Sequence, residues 1–269
     1  MIIGIDIGST TTKAVSIEDG KVTRKIKTKA LDAVTSATGA LGKLVCEYGI
    51  EITSIGKIVI TGAGASKIKN DIFGIPTDRV NEIQAIGIGG MFLSGMSNII
   101  ITNIGTGTVI IEAGERGIFH FGGSGVGGGT IFGLAKKLLP TVEIKDIMEL
   151  AKTGKISNVD LLLGDISDTE LSFLKGETTA SNFGKMLDTA APNDTALAII
   201  NMVYQVIGVL SVFAAKASGS ARVIVTGRGS NNFLGQKVIA EISKMYGIEF
   251  VYPDSAEYTT AIGAGLSAN

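Results

Sequence analysis

The residues with chemical capacity stand together near the start of the chain, in Asp6-Ile7-Gly8-Ser9-Thr10-Thr11-Thr12-Lys13. A carboxylate, a glycine turn, a run of hydroxyls and a cation in so short a stretch suit a polyphosphate and its metal. Gly8 lets backbone N–H groups approach phosphate oxygens, and Ser9, Thr10 and Thr11 add hydroxyl donors. Lys13 would neutralise phosphate charge, and Asp6 would hold Mg²⁺ through water. A second turn, Gly105-Thr106-Gly107-Thr108, offers the same glycine and hydroxyl chemistry. A third, Thr226-Gly227-Arg228-Gly229, ends an apolar run and is expected to open a helix whose N-terminal amides face an anion. Any one of these stretches alone is an ordinary tight turn. Their pairing and order carry the reading.

Two further features bear on chemistry. Glu82 follows a short β-type run and precedes an apolar helical one. Such a carboxylate can accept a hydroxyl proton, or it can simply be an acid favoured by a helix N-terminus. The residues alone leave both open. Gly122-Gly123-Ser124-Gly125-Val126-Gly127-Gly128-Gly129-Thr130 packs six glycines into eight residues. Each costs about 0.5–1 kcal/mol of conformational freedom against Ala, so something is expected to come very close to this backbone.

The elements that must position these residues repeat. Residues 1–7, 11–18 and 21–29 read as a β-meander, with Gly8-Ser9 and Asp19-Gly20 as turns. A helix is expected over 31–48, from apolar residues near the 3.6 period. A strand ends in Thr61-Gly62-Ala63-Gly64, and a helix covers 83–93. The pattern restarts with strands near 98–103, 108–113 and 117–121. Ile58-Val59-Ile60-Thr61-Gly62-Ala63-Gly64 pairs with Val223-Ile224-Val225-Thr226-Gly227-Arg228-Gly229. Ala85-Ile86-Gly87-Ile88-Gly89 pairs with Ala261-Ile262-Gly263-Ala264-Gly265. The chain is therefore read as two halves, 1–97 and 98–269, facing a cleft. The second half carries an insertion over about 130–198, expected to be mostly helical, with a helix over 131–139.

Composition narrows the function. The 24 Lys and Arg against 25 Asp and Glu argue against a broad nucleic-acid or anionic-membrane face. One cysteine, Cys46, and one histidine, His120, exclude an intrachain disulfide framework, a Cys/His zinc site and an iron–sulfur cluster held by one chain. Residues 196–215 carry no charge and are long enough to span a bilayer. Asn201 and Gln205 share one face of that helix, so it is read as a buried core helix, and the protein as soluble and cytoplasmic.

The opening GIDIGSTTTK, the repeated turns and the TGxG element resemble the ATPase superfamily of acetate and sugar kinases, heat-shock chaperones and actin. This implies an α/β fold of duplicated ribonuclease H-like domains. A narrower resemblance, to type II pantothenate kinases, covers nearly the whole chain. It rests on Asn103-Ile104-Gly105-Thr106-Gly107-Thr108, on the glycine run with Ile131-Phe132-Gly133-Leu134, and on Val159-Asp160-Leu161-Leu162-Leu163-Gly164-Asp165-Ile166 and Thr179-Ala180-Ser181-Asn182-Phe183-Gly184. The resemblance implies a homodimer and ATP-dependent phosphorylation of the primary hydroxyl of pantothenate, the first step toward coenzyme A. It implies Glu82 as catalytic base and Gly127, Gly128 and Gly129 as the loop where nucleotide and substrate meet. Gly123, Ser124, Ala180 and Phe183 fall in substrate-side segments.

One departure matters. The family usually has Arg-Val before the first two glycines of the loop, where this chain has His120-Phe121. Neutral His is a weaker anchor than an always-charged guanidinium. Either His120 takes the Arg's place, or the acceptor is pantetheine or another small hydroxy-amide. Two rivals share the opening pattern. Dehydratase-activating ATPases need two cysteines per chain for their iron–sulfur cluster, and Cys46 stands alone. A nucleotide-dependent sensor or assembly module would bind ATP without phosphorylating a small alcohol.

Overall fold

The computed structural model describes residues 1–140, 143–166 and 176–268. In the first half β1 (Ile2–Ile7), β2 (Thr11–Glu18) and β3 (Lys21–Lys29) form the expected antiparallel meander. Asp19 and Gly20 both take positive φ, 49° and 72°, as a two-residue hairpin turn requires. Helix α1 (Ala33–Tyr48) follows, capped by the Asp32 side chain, which accepts from the Thr35 N–H at 3.0 Å. Then β4 (Lys57–Thr61) and β5 (Thr77–Arg79) add in parallel beside β1, and the sheet order is β3-β2-β1-β4-β5. Helix α2 (Glu82–Ser94) closes this half.

The second half repeats this topology. Strands β6 (Ile99–Ile104), β7 (Thr108–Gly114) and β8 (Gly117–Ser124) form its meander. Helices α3 (Gly128–Leu138) and α4 (Ile144–Ala151) follow, then the short strands β9 (Leu161–Leu162) and β10 (Thr179–Ser181). Helix α5 (Pro192–Ser218), β11 (Arg222–Thr226), α6 (Phe233–Tyr246), β12 (Glu249–Val251) and α7 (Thr259–Leu266) complete the chain. The sheet order β12-β11-β6-β7-β8 is the first sheet's order again, with β11 and β12 parallel to β6 as β4 and β5 are to β1.

Three expectations need correcting. The insertion is helical only at its ends. Its described middle is 3₁₀ turns and the β9–β10 ladder, because residues 152–191 hold no sustained 3.6-period apolar run. The rest of that stretch lies outside the described residues. Helix α3 begins at Gly128, inside the glycine run, and not at Ile131. The third turn does not open a helix directly. A 3₁₀ turn, Arg228–Asn231, intervenes, and Asn232 caps α6 through the Gly235 N–H.

The two closing helices cross over. Ile86 of α2 is buried with Ile99, Ile101, Ile111 and Ile224 of the second sheet. Ala261 and Ile262 of α7 are buried with Val15 and Ile17 of the first. A Cβ on Gly89 would fall on the Thr259 carbonyl oxygen, and one on Gly263 on that of Ala85. Absence of side chains thus brings α2 and α7 into backbone contact between the sheets. The outer cores are separate: α1 covers the first sheet, and α3, α5 and α6 cover the second. Helix α5 is long and apolar enough to cross a membrane, yet 61% of its most apolar window is buried within the protein.

Candidate functional site

The site lies where β1, β4, β6 and β11 end. The halves match residue for residue there. Asp6 pairs in register with Thr61, and Asn103 with Thr226. Gly62 (φ 86°) follows Thr61, and a Cβ on it would come within 2.6 Å of Asp6 Oδ1. Gly227 (φ 82°) follows Thr226, and its Cβ would come within 2.7 Å of Asn103 Oδ1. The left-handed backbone and the close approach both require glycine. The halves differ in charge. Thr226 Oγ1 donates to Asn103 Oδ1 at 3.0 Å, whereas the buried Thr61 Oγ1 has no hydrogen-bond partner beside the Asp6 carboxylate.

Asp6 is buried and 3.8 Å from the buried Lys13 ammonium. Burial pushes its carboxyl up to about 6, against the pull of Lys13 and with a push from Glu82. Burial holds the Lys13 amine below its ordinary range. Asp6 and Glu257 oppose that, while Lys27 and Arg228 add to it. A buried carboxylate with one distant ion-pair partner and an orphaned hydroxyl in the next strand fits a hydrated divalent cation, which would supply the missing ligands and charge.

The two phosphate-type turns touch. Ser9 Oγ and Thr106 Oγ1 lie 2.7 Å apart, and both residues are exposed. Gly8 sits at the β1–β2 turn, its missing Cβ making room for the Thr11 carbonyl, and Thr10 is exposed beside Ser9. The glycine run lies against the second turn. The Gly128 and Gly129 amides donate to the Gly105 and Thr106 carbonyls at 2.9 and 2.8 Å. A Cβ on Gly127 would come within 2.6 Å of the Thr106 carbonyl oxygen, and one on Gly123 within 2.6 Å of that of Thr108. So the close neighbour expected of this run is the Gly105–Thr108 backbone itself. Gly122 and Gly125 have open space instead. Thr108 is buried and donates to the Val126 carbonyl. The Gly227 amide donates to the Ala256 carbonyl, and Arg228 is exposed.

Glu82 is the first residue of α2, and Asn81 caps the helix by accepting from the Ile83 N–H at 2.8 Å. With the cap supplied by Asn81, Glu82 is free to face outward. It is open to solvent on one side. Its protein surroundings still hold the carboxyl above the ordinary range, moderated by Lys13. That coupling places Glu82 in the same charge cluster as Asp6 and Lys13.

The substrate-side residues are spread over two elements. His120 is exposed on the edge strand β8, in register with Ile111 next to a bulge. Arg116 is bound to Glu112 at 2.7 Å. Ser124 accepts from the Val126 N–H. Ala180 is exposed on β10, and Phe183 takes φ 57° while packing at the edge of the second core.

The repeat of residues 5–10 at 102–107 already aligns Asp6 with Asn103, but the sequence reading gave no site role to Thr61 or to Glu257, which binds Lys27 at 2.8 Å and lies within electrostatic reach of Lys13. A signal for Glu257 existed. It precedes the Ala261-Ile262-Gly263 repeat much as Glu82 precedes Ala85-Ile86-Gly87.

Solved structures share this fold. The activator of the 2-hydroxyisocaproyl-CoA dehydratase from Clostridium difficile, with bound ADPNP, superposes with a TM-score of 0.68 at 21% identity, over 99% of this chain and 93% of that one. A ROK family glucokinase from Streptomyces griseus, in complex with glucose and AMPPNP, does so at 0.62 and 16%, over 98% of this chain and 97% of its own. The two repeated β-meander halves and these neighbours define the fold shared by actin-like ATPases and ROK kinases.

Sequence relatives narrow the class. The family model described as Fumble matches residues 96–264. A protein named type II pantothenate kinase from Bacillus cereus is 31% identical over 99% of this chain and 97% of its own length. One of the same name from Staphylococcus aureus is 29% identical over 98% of each. The chain belongs to the type II pantothenate kinase family.

Proposed function

We propose that the protein transfers the γ-phosphoryl group of ATP to the primary hydroxyl of pantothenate, the opening step of coenzyme A synthesis. The observation that carries this is the buried Asp6–Lys13 pair at the ends of β1 and β2, with Glu82 within its electrostatic reach, in a chain whose full-length relatives bear that enzyme's name. Mg²⁺, when bound near Asp6 and Thr61, would neutralise phosphate oxygens. Lys13 adds a second positive charge. The Ser9 and Thr106 hydroxyls, and backbone amides of the Gly8–Thr10 and Gly105–Gly107 turns other than that of Gly105, which is held by the Gly107 carbonyl at 2.9 Å, stabilise the transferring group. Glu82 orients the acceptor hydroxyl and takes its proton as the oxygen bonds to phosphorus and the bond to the departing ADP breaks. Burial raises its carboxyl above the ordinary range, which makes it a stronger base than a free glutamate.

On the substrate side we assign His120, Gly123, Ser124, Ala180 and Phe183. On the nucleotide side we assign Thr11, Gly127–Gly129, Gly227 and Arg228. Thr108 shapes the second turn. The enzyme is taken to be a soluble cytoplasmic homodimer.

His120 supports a second reading. An exposed, neutral imidazole where the family usually has Arg leaves less positive charge for an acceptor carboxylate. Pantetheine has the same hydroxyl end without that carboxylate. A coupled ADP-release assay with pantothenate, pantetheine and simple sugars, run on the wild type and His120→Arg, separates the readings. Pantothenate turnover improved by His120→Arg supports the first, and preference for pantetheine the second. Pantothenate inert with both proteins overturns the assignment of pantothenate as acceptor.

A further inference from the structure

Asp160 is the one acidic residue that is completely buried among those described, and none of the ion pairs among the described residues involves it. Its carboxylate is held by neutral donors only. Oδ1 accepts from the Phe183 N–H at 2.9 Å. Oδ2 accepts from Thr179 Oγ1 at 3.0 Å, Asn182 Nδ2 at 3.3 Å and Asn201 Nδ2 at 2.8 Å. Three of these four donors belong to the short stretch 179–183. The fourth is on α5, and Asn182 also donates to Gln205 Oε1 one turn further along that helix.

Burying a charge with no counter-ion is costly unless its hydrogen bonds are complete. This carboxylate therefore selects one conformation of the residues around it, and that conformation is not a relaxed one. Phe183 has φ 57°, a backbone region that bulky side chains rarely adopt. Its N–H is the group Asp160 Oδ1 holds. Its sheet pairing adds little: the ladder partner β9 is two residues long, and the pairing shifts register between Thr179 and Ser181. Next along the chain, the Lys185 and Met186 amides donate to the carbonyl of Val159, the residue before Asp160. Helix α5 links this hub to the nucleotide end. Tyr204, which lies between Asn201 and Gln205 in sequence, donates its hydroxyl to the Gly229 carbonyl at 2.7 Å.

We infer that Asp160 is a positioning residue for the acceptor: its buried carboxylate sets the Thr179–Phe183 backbone, and with it exposed Ala180 and strained Phe183, in the form that receives the substrate. This rests on the pantothenate kinase reading and deepens it.

The test compares wild type, Asp160→Asn, Thr179→Val and Asp160→Asn/Asn201→Asp. Steady-state kinetics, binding of a fluorescent ATP analogue and thermal melting are measured for each. Asp160→Asn should raise KM for pantothenate roughly tenfold or more, while analogue affinity stays within about twofold. The double variant, which moves the carboxylate to the facing side chain, should recover much of the loss. Thr179→Val removes one donor and covers the case in which Asp160→Asn does not fold. It should raise the same KM about threefold. Variants that melt earlier but keep the wild-type pantothenate KM would reduce Asp160 to a structural role and overturn the inference. Wild-type protein unable to phosphorylate pantothenate would overturn the underlying reading instead, before any variant is compared.

Discussion

Ser9 and Thr106 stand 97 residues apart in the chain, and their hydroxyl oxygens are 2.7 Å apart in space. They are the tips of the two phosphate-type turns, one from each half. Without nucleotide each tip satisfies the other, so phosphate oxygens must replace this bond. Ser9→Ala and Thr106→Ala should each raise KM for ATP about 5- to 30-fold, the equivalent of at most one charge-assisted hydrogen bond. The double variant should lose more than the product, since each single change also spares the remaining hydroxyl the bond it would otherwise have to break. A double-mutant cycle on ATP-analogue affinity measures the coupling, and strict additivity would show that the contact has no functional weight.

Glu82→Ala should lower kcat by at least ~10²-fold, the low end for loss of a general base. Its cap is supplied by Asn81, so melting should change little, and ATP-analogue binding should persist. A variant with near-wild-type turnover would remove Glu82 from the mechanism.

The Asp6 carboxyl is raised to about 6 from an unfolded value near 3.8. A raised acid destabilises the fold once ionised. In metal-free protein its cost grows as pH climbs from about 4 to about 6 and stays constant above that. Asp6→Asn should therefore melt higher than wild type at pH 7, by an amount on the order of 1–3 kcal/mol, with the gain vanishing near pH 4. The same variant should lose turnover. In wild type, activity should fall below about pH 6, where Asp6 takes up a proton, and high Mg²⁺ should shift that limb downward. Thermal melts and pH–rate profiles at two Mg²⁺ concentrations check both statements.

Glycine placement gives a structural prediction of opposite signs. Gly263→Ala or Gly89→Ala puts a methyl group onto a carbonyl oxygen at the α2–α7 crossing and should cost about 2–4 kcal/mol. Gly39→Ala, in an open position inside α1, should stabilise by ~0.5–1 kcal/mol. Denaturant melts of the three variants test the contrast.

Much of this architecture is written locally. The Asp-Gly hairpin, the recurring Thr-Gly-x-Gly ends and the Asp6–Lys13 stretch are each readable from neighbouring residues, and the two identical sheet orders follow from their repetition. Partner choice is not local. The small-residue stripes Ala85–Gly89 and Ala261–Gly265 announce close contact but cannot say that each helix covers the other half's sheet. The glycine run was legible as a place of close approach, yet its neighbour proved to be the second turn's own backbone. Asp160 sat inside a stretch noticed only for family likeness. Of Asn201 and Gln205, noticed as polar exceptions on an apolar helix, Asn201 donates to it and Gln205 accepts from its neighbour Asn182.

The helix crossover also constrains how the chain comes together. Gly4, in the first strand, has no room for a side chain because the Ala261 carbonyl and Gly265 backbone press against it. One face of the first sheet is thus covered by the last helix. During synthesis that sheet remains open on one side until α7 leaves the ribosome, so the N-terminal half cannot mature as an independent unit. Its Ile-rich strands are exposed to wrong pairing until residues 259–266 have been made. Shortening the C-terminus would extend that exposure indefinitely.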